Sequence, residues 1–368
     1  MKSCQNLAEN AAKQFALNGE IESCIPYGNG HINDTFSIVC KDKSGEKNRY
    51  IIQAINKNVF KNCDQVIDNI EKVTEFLRKK GLGKRDVMTL IRTKDNKSSY
   101  IDDKGNTWRV YNFIENSLCL EHPENPDDFY QCGFAFGKFQ RDLSDFPADV
   151  LYEVLPDFHN TVKRYNTLLE SIEKDEAKRA AGVSEEIKFI KDRKDFYSTL
   201  LNCHDNGSLM LRVSHNDTKS NNVLLDADTH KALCVIDLDT IMPGFSVTDF
   251  GDAIRFGANT AAEDEPDVSK VSLDLRMFEA FASGFLDGCG GYLPDDEIML
   301  LPEGAKMMTL ECGIRFLTDY LDGDKYFKTA YPEHNLVRCH TQLKLAADME
   351  NHWDEMKNIV SKYCGKGK

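Results

Sequence analysis

The sequence predicts an α+β protein of two unequal lobes: a small antiparallel sheet lobe over residues 1–115 and a larger, mainly helical lobe over residues 116–368. Two observations predict this. Short strand-like runs separated by turn formers crowd the first part of the chain, whereas beyond Asn116 apolar residues recur at helical intervals through long segments. A chain of 368 residues, 41% hydrophobic and 29% charged, is also long enough for each lobe to bury its own core.

The first residues, 1–17, have helical spacing and lack the continuous apolar stretch of a secretion signal. Residues 21–27, 35–40 and 49–54 read as strands, the first two joined by a glycine turn at Gly28, Asn29 and Gly30. Residues 66–80 are apolar at helical intervals and end in Lys79, Lys80 and Gly81, the cations and glycine that suit a helix C-terminus. Strands at 88–92, 99–101 and 108–114 follow, with turn formers at 102–106, and the hinge between lobes is expected at 111–116. Beyond it, helices are expected at 127–142, 157–173, 184–202, 273–286, 302–321 and 336–362.

Bulk properties narrow the function. A net charge of −14 and a pI near 5.2 argue against a nucleic-acid surface or a polybasic membrane anchor, and favour small ligands. Twelve cysteines without a CxxC pair suit reduced, packed thiols and a cytoplasmic home better than disulfides or zinc. No apolar run approaches membrane-spanning length.

One hairpin interrupts the helices of the second lobe and concentrates its chemistry. HNDTKSNN at 215–222 runs into Val223, Leu224 and Leu225, then a polar turn at 226–230, then a second apolar run ending at Asp237. Two apolar runs around turn formers pair antiparallel about a centre between Thr229 and His230, which sets Asn222 opposite Asp237. A carboxamide facing a carboxylate offers hard oxygen ligands suited to Mg²⁺, while Asp217, on the loop entering the hairpin, can reach a hydroxyl. Phosphoryl transfer divides its labour in this way: one Asp orients and deprotonates the attacking hydroxyl, an Asn binds metal, and a second Asp bridges metal and phosphates. Asp217 is therefore the candidate base, with Asn222, Asp237 and the neighbouring Asp239 at the metal. The plain alternative is a polar turn whose aspartates cap a strand.

Residues 215–259 resemble the aminoglycoside phosphotransferase and choline kinase superfamily, and within it the N-acetylhexosamine 1-kinases. The resemblance continues through YGNGHINDTF at 27–36, YIIQAINKNVF at 50–60, LPDFHNT at 155–161, and the segments 309–331 and 334–350, covering nearly the whole chain. It implies a protein-kinase-like bilobal fold and ATP- and Mg²⁺-dependent phosphorylation of the anomeric hydroxyl of N-acetylglucosamine or N-acetylgalactosamine, with Asp217 as base. Within the same fold an amino-alcohol or aminoglycoside kinase stays open. So does a silent nucleotide- or sugar-binding protein.

Several positions are judged against that template. Gly28, Asn29, Gly30 and Asn33 are expected to lie over nucleotide phosphates, because glycines permit close backbone approach. Asn112 and Phe113 at the hinge are also expected to bind the cofactor. His31 has two readings, a contact to sugar or phosphate or a cover over the glycine turn. A lysine on the third strand, paired with a glutamate of the next helix, normally meets the phosphates, but here that position is Gln53. Gln53 is kept as a cofactor-binding position, with Lys57 as the substitute cation and Glu71 or Glu75 as its partner; surface salt bridges are the simpler reading of those three. His215 reads as structural. Arg315, Tyr320 and Tyr326 are the expected sugar-binding side chains, although helical packing also accounts for Tyr320. Asp249, Phe250 and Gly251 spell the protein-kinase metal motif but lie beyond the hairpin, so Asp249 reads as a helix N-cap with Asp252 on the first turn. Cys24 and Pro26 begin a sulfatase-like CxPx pattern that lacks its arginine.

Overall fold

The computed structural model describes residues 2–28 and 32–365. In the first lobe, helix α1 (Lys2–Ala12) precedes strands β1 (Glu20–Pro26), β2 (Asp34–Lys41) and β3 (Lys47–Ala54), helix α2 (Cys63–Lys79), and strands β4 (Leu90–Ile91), β5 (Tyr100–Ile101) and β6 (Thr107–Asn112). These strands form one sheet in the order β1-β2-β3-β6-β4, with β5 also on β6, and every pairing is antiparallel.

Strand alternation gives this sheet two characters. Phe36, Ile38, Tyr50, Ile52, Trp108 and Val110 share one face and pack under Ala8, Ala11 and Ala12 of α1. The residues between them, Thr35, Gln53, Arg109 and Tyr111, therefore point to the opposite face, the one that looks toward the second lobe.

The second lobe begins with strand β7 (Ser117–Cys119) and helices α3 (Pro126–Asp142), α4 (Thr161–Lys174), α5 (Ser184–Lys191) and α6 (Thr199–Asp205). Strands β8 (Arg212–Ser214), β9 (Val223–Asp226), β10 (Ala232–Val235) and β11 (Met242–Gly244) follow. Helices α7 (Ser246–Gly257), α8 (Leu275–Cys289), α9 (Asp295–Met299), α10 (Leu301–Leu321), α11 (His334–Asn351) and α12 (Trp353–Ser361) complete it. Phe250 of α7 sits fully buried among Phe278, Phe281 and Phe285 of α8, at ring separations of 5.7, 5.6 and 5.6 Å. Gly251 of α7 and Gly304 of α10 let those two helix backbones touch, since a Cβ on either would collide with the other chain. The small-sheet lobe followed by a helical lobe is the expected α+β architecture.

Two long helices expected from periodicity are broken. Residues 184–202 split into α5 and α6 because Tyr197 turns inward, donating its phenol to Ile190 O at 2.8 Å, while Arg193 turns to Glu350. Residues 336–362 split at His352, and the redirected α12 buries Met356, Ile359 and Val360 and brings Lys357 onto Glu303. The apolar pattern runs on through both breaks, so it could not reveal them. Among the described residues no helix is long and apolar enough to cross a membrane. All twelve cysteines are unpaired, most of them buried.

Candidate active site

Two short sheets carry two loops toward the first lobe. Strand β8 pairs with β11, and β9 pairs with β10 and β7. Residues 215–222 run from β8 to β9, and residues 236–241 run from β10 to β11. The first loop holds Asp217 and Asn222, the second Asp237 and Asp239.

The loop at 215–222 is held by buried hydrogen bonds. Asp249 accepts the amides of His215 and Asn216 at 2.9 and 2.8 Å and the Gln140 side chain at 2.8 Å. It lies inside α7, whose N-cap is Phe245, so the expected N-cap role is corrected: Asp249 is a brace for this loop. Burial pushes the Asp249 carboxyl up from its ordinary value, against His215 and the two amides it accepts. His215 is fully buried between Phe136 and Phe139, with Nε2 at 2.8 Å from Ile236 O. Asn216, at φ +63°, spans to Ser214 O and Thr240 O, and Thr240 Oγ1 donates to His215 O at 2.6 Å. Each bond contributes about 1 kcal/mol, but a buried partner left alone costs more.

Asp217 sits at the open end of this scaffold. Its Oδ1 meets Lys219 Nζ at 2.8 Å, and Asn222 Nδ2 donates to its backbone O at 2.7 Å and to its Oδ2 at 3.2 Å. Asp217 foremost raises the pKa of Lys219. The hairpin register differs from expectation. Val223 pairs with Val235 and Leu224 with Cys234, a bulge follows before Ala232, and Ile236 N donates to Asn222 O at 2.9 Å. Asn222 therefore lies opposite Ile236, and Asp237 comes one residue later. A left-handed backbone at Asp237, φ +58° and ψ +58°, turns the chain there.

The first lobe faces these loops with a row of polar side chains. Thr35, Gln53 and Arg109 are direct neighbours across β2, β3 and β6. Gln53 Nε2 donates to Thr35 Oγ1 at 3.1 Å, and Arg109 Nε and Nη2 donate to Gln53 Oε1 at 3.1 and 2.8 Å. The same guanidinium stands 2.5 Å from Asp239 Oδ1, while Asn33 Nδ2 donates to Asp239 Oδ2 at 2.7 Å. Lys57 instead turns to Gly105 O, and Glu71 and Glu75 pair with Arg92, so the substitute ion pair does not form and the simpler salt-bridge reading holds for the two glutamates. The inward position of α2 is Asn69, fully buried, which donates to Tyr152 O and Ile241 O.

On the other side of Asp217, His159 Nε2 donates to Asn216 O at 3.2 Å and its Nδ1 meets Glu311 Oε1 at 3.0 Å, and Thr161 Oγ1 donates to Glu311 at 2.6 Å. Arg315, one turn along α10 from Glu311, lies within 6 Å of the Phe158, Tyr326 and Phe327 rings. Burial, and then the nearby Arg315 charge, lower the pKa of Arg164 beside it. Tyr320 is not part of this group. Its ring lies under Arg179, which also donates to its carbonyl.

A model of the APH phosphotransferase enzyme family matches residues 25–279. The chain belongs to that family. Solved structures with the same fold include a microcompartment-associated aminopropanol kinase, at 15% identity over 96% of this chain and 98% of that one, TM-score 0.62. An aminoglycoside phosphotransferase from Alicyclobacillus acidocaldarius matches at 13% identity over 96% of each chain, TM-score 0.62. A choline kinase from Cryptosporidium parvum matches at 13% identity over 98% of each chain, TM-score 0.57. The protein is thus a member of a phosphotransferase enzyme family with a protein-kinase-like fold.

Among the described residues of this phosphotransferase, no three His, Cys, Asp or Glu side chains converge as a ready-made metal cage. Asp237 nonetheless suits a hard divalent cation. Burial, then the Asp239 and Asp217 charges, push its pKa to about 7, as expected of a carboxylate short of positive charge. With Asn222 Nδ2 committed to Asp217, its Oδ1 is the atom left for a metal. Asp239 is ion-paired with Arg109 through Oδ1 and accepts from Asn33 at Oδ2, although Oδ1 makes no hydrogen bond among the described residues.

At the hinge, the Asn112 amide is taken by Thr89 O and the Phe113 amide by Arg49 O. What these residues present is the Asn112 side chain and the Phe113 ring, which lies between Arg49 and Tyr27. Gly28, at φ +75°, opens the glycine turn with nothing near its missing Cβ. Asn29, Gly30 and His31 lie outside the described residues. Arg109, His159 and Arg164 have no role in the sequence reading, and Asp249 has a different one. Of these, only Arg109 had a usable signal: its charge sits within an otherwise apolar strand, TWRVY.

Proposed function

We propose that this phosphotransferase uses ATP and Mg²⁺ to phosphorylate the anomeric C1 hydroxyl of an N-acetylhexosamine, N-acetylglucosamine or N-acetylgalactosamine, giving a sugar 1-phosphate and ADP. Asp217 orients the C1 hydroxyl and takes its proton as the new O–P bond forms and the β,γ-bridging O–P bond of ATP breaks. Lys219 and Asn222 hold the Asp217 carboxylate in position for this. Asn222 and Asp237 would hold Mg²⁺, which when bound supplies positive charge against the phosphate oxygens. Asp239, ion-paired with Arg109 and accepting from Asn33, we place foremost as an anchor for Arg109, with its Oδ1 free of a hydrogen bond among the described residues and open to the metal.

The observation that carries the acceptor assignment is the wall beyond Asp217. Arg315 lies among the Phe158, Tyr326 and Phe327 rings, with Arg164 beside it. Guanidiniums and flat rings suit the hydroxyls and the apolar face of a neutral hexose. A cationic amino-alcohol or aminoglycoside would meet like charge there, because the nearby carboxylates Glu311 and Asp252 are already paired with His159 and Arg255.

The test is ³¹P NMR of the purified protein with MgATP and each sugar, with galactose, choline and an aminoglycoside run separately. An anomeric sugar phosphate matched by ADP supports the assignment. Turnover on choline or the aminoglycoside alone would overturn the acceptor and leave the phosphotransferase intact.

A further inference from the structure

Kinase-like folds place a lysine of the third strand against the nucleotide phosphates and hold it with a glutamate of the following helix. Here both halves are gone. The strand position is the neutral Gln53, the inward position of α2 is Asn69, and the glutamates of α2 are spent on Arg92 at the sheet's far edge. Nucleotide phosphates carry several negative charges, and a buried site that receives them without a fixed cation would bind them poorly.

The cation is one strand away. Arg109 is the direct cross-strand partner of Gln53, on the same face, and 1% of its side chain is exposed. Its Nε and Nη2 donate to Gln53 Oε1, so its charge stands within about a hydrogen bond's length of the site where a lysine ammonium from position 53 would end. A lysine at 53 would face this guanidinium directly, which gives a physical reason for glutamine there: it accepts where lysine would repel. Asp239 takes the place of the helix glutamate as the carboxylate partner, at 2.5 Å.

A purely structural buried arginine should have all its donors met. Among the described residues Arg109 Nη1 has no hydrogen-bond partner, and neither does the hydroxyl of Tyr111, its neighbour on the same strand face, nor Oδ1 of Asp239. Both donors lie where the Asp237 and Asp239 charges are felt, at the edge of the site assigned to metal and phosphates. Two buried donors left unmet on the face that looks toward the second lobe are groups that an anionic phosphate oxygen can satisfy.

We propose that Arg109, anchored by Asp239, supplies from β6 the phosphate-facing positive charge that this fold usually carries on β3. The proposal rests on the phosphotransferase reading of the site and is independent of which acceptor is used. One consequence is that α2 is uncoupled from that charge. Asn69 ties α2 to the second lobe at Tyr152 and Ile241, so a shift of α2 would not break an ion pair at the nucleotide.

The experiment is calorimetric titration of the full chain with MgAMP-PNP and, separately, with adenosine, no acceptor being present. Arg109→Gln is expected to weaken MgAMP-PNP binding on the order of tenfold to a hundredfold while adenosine affinity stays within about threefold. Gln53→Lys combined with Arg109→Gln, which returns the charge to β3, should recover most of the loss. A folded Arg109→Gln protein with unchanged MgAMP-PNP affinity overturns the proposal, and so does a folded double variant that shows no recovery. If Arg109→Gln does not fold, the double variant decides: it should fold and bind MgAMP-PNP within about tenfold of wild type. If it too fails to fold, Arg109 is a structural residue and the proposal falls. Wild-type protein that binds no MgAMP-PNP would instead bring down the phosphotransferase reading itself.

Discussion

The loop that carries Asp217 and the sheet face above it differ in which polar groups are met: among the described residues Ser220 Oγ is unmet in the loop, but the groups that hold its backbone are paired. In the loop, the amides of His215 and Asn216, the Asn216 side chain and the His215 ring all find buried partners, with Asp249 at the centre. On the sheet face, Arg109 Nη1 and Tyr111 Oη are buried and unmet among the described residues, and burial, then the Asp239 and Asp217 charges, push the Asp237 carboxyl up. Satisfied groups hold a geometry, whereas unsatisfied ones are completed by a ligand. The lower loop is built to keep one carboxylate in place, and the upper face is built to receive charge.

The sharpest way to break this contrast is Asp217→Asn. It should lower turnover by about a thousandfold while MgADP affinity, set by the upper face, changes less than about threefold. Steady-state kinetics beside calorimetry checks both, and near-normal turnover would end the base assignment. Asp249→Asn comes next. By removing a charged acceptor from two loop amides and Gln140, it should cost about 3 kcal/mol in urea denaturation and reduce turnover with little effect on nucleotide affinity. Loss of nucleotide affinity alone would show that the two regions are not separate. Arg315→Met should raise the acceptor KM about tenfold with the ATP KM unchanged, which places the third side of the cleft apart from both.

The smallest effect is a pH dependence. Burial pulls the His159 pKa down, but Glu311 outweighs it and holds the group above its ordinary value. A raised folded-state pKa contributes stability that is full below about 6.5 and is lost as pH rises through the folded value. The gap in urea midpoint between wild type and Glu311→Gln should therefore narrow as pH rises above about 6.5 and through the folded-state value of His159. A gap that stays constant would mean His159 is neutral and holds the loop as an uncharged partner.

Much of this was legible along the chain. The strands of the first lobe and α3, α4, α8 and α10 appear close to the segments their periodicity marked, because each buries one face against a neighbour. Asp217 and Asn222 come together as their spacing implied, since five residues span only the loop and one short turn. Pairing beyond the loop was misjudged by one residue. A bulge between Ala232 and Cys234 leaves no mark in the alternation of so short a run. Asp249 reads as a cap from sequence because Asp near a helix start looks the same whether it serves its own helix or another segment.

What the sequence by itself determined is local: where helices and strands form, where the polar loop interrupts them, and which residue types cluster at the hairpin. Patterns of burial along a few turns suffice for that. What only the tertiary structure decided is which distant side chains share a charge. Arg109, Gln53 and Asp239 lie on three segments, and Lys57, Glu71 and Glu75 were closer guesses by sequence yet point elsewhere. Coulomb energy depends on separation in space and on burial, and neither is a function of distance along the chain.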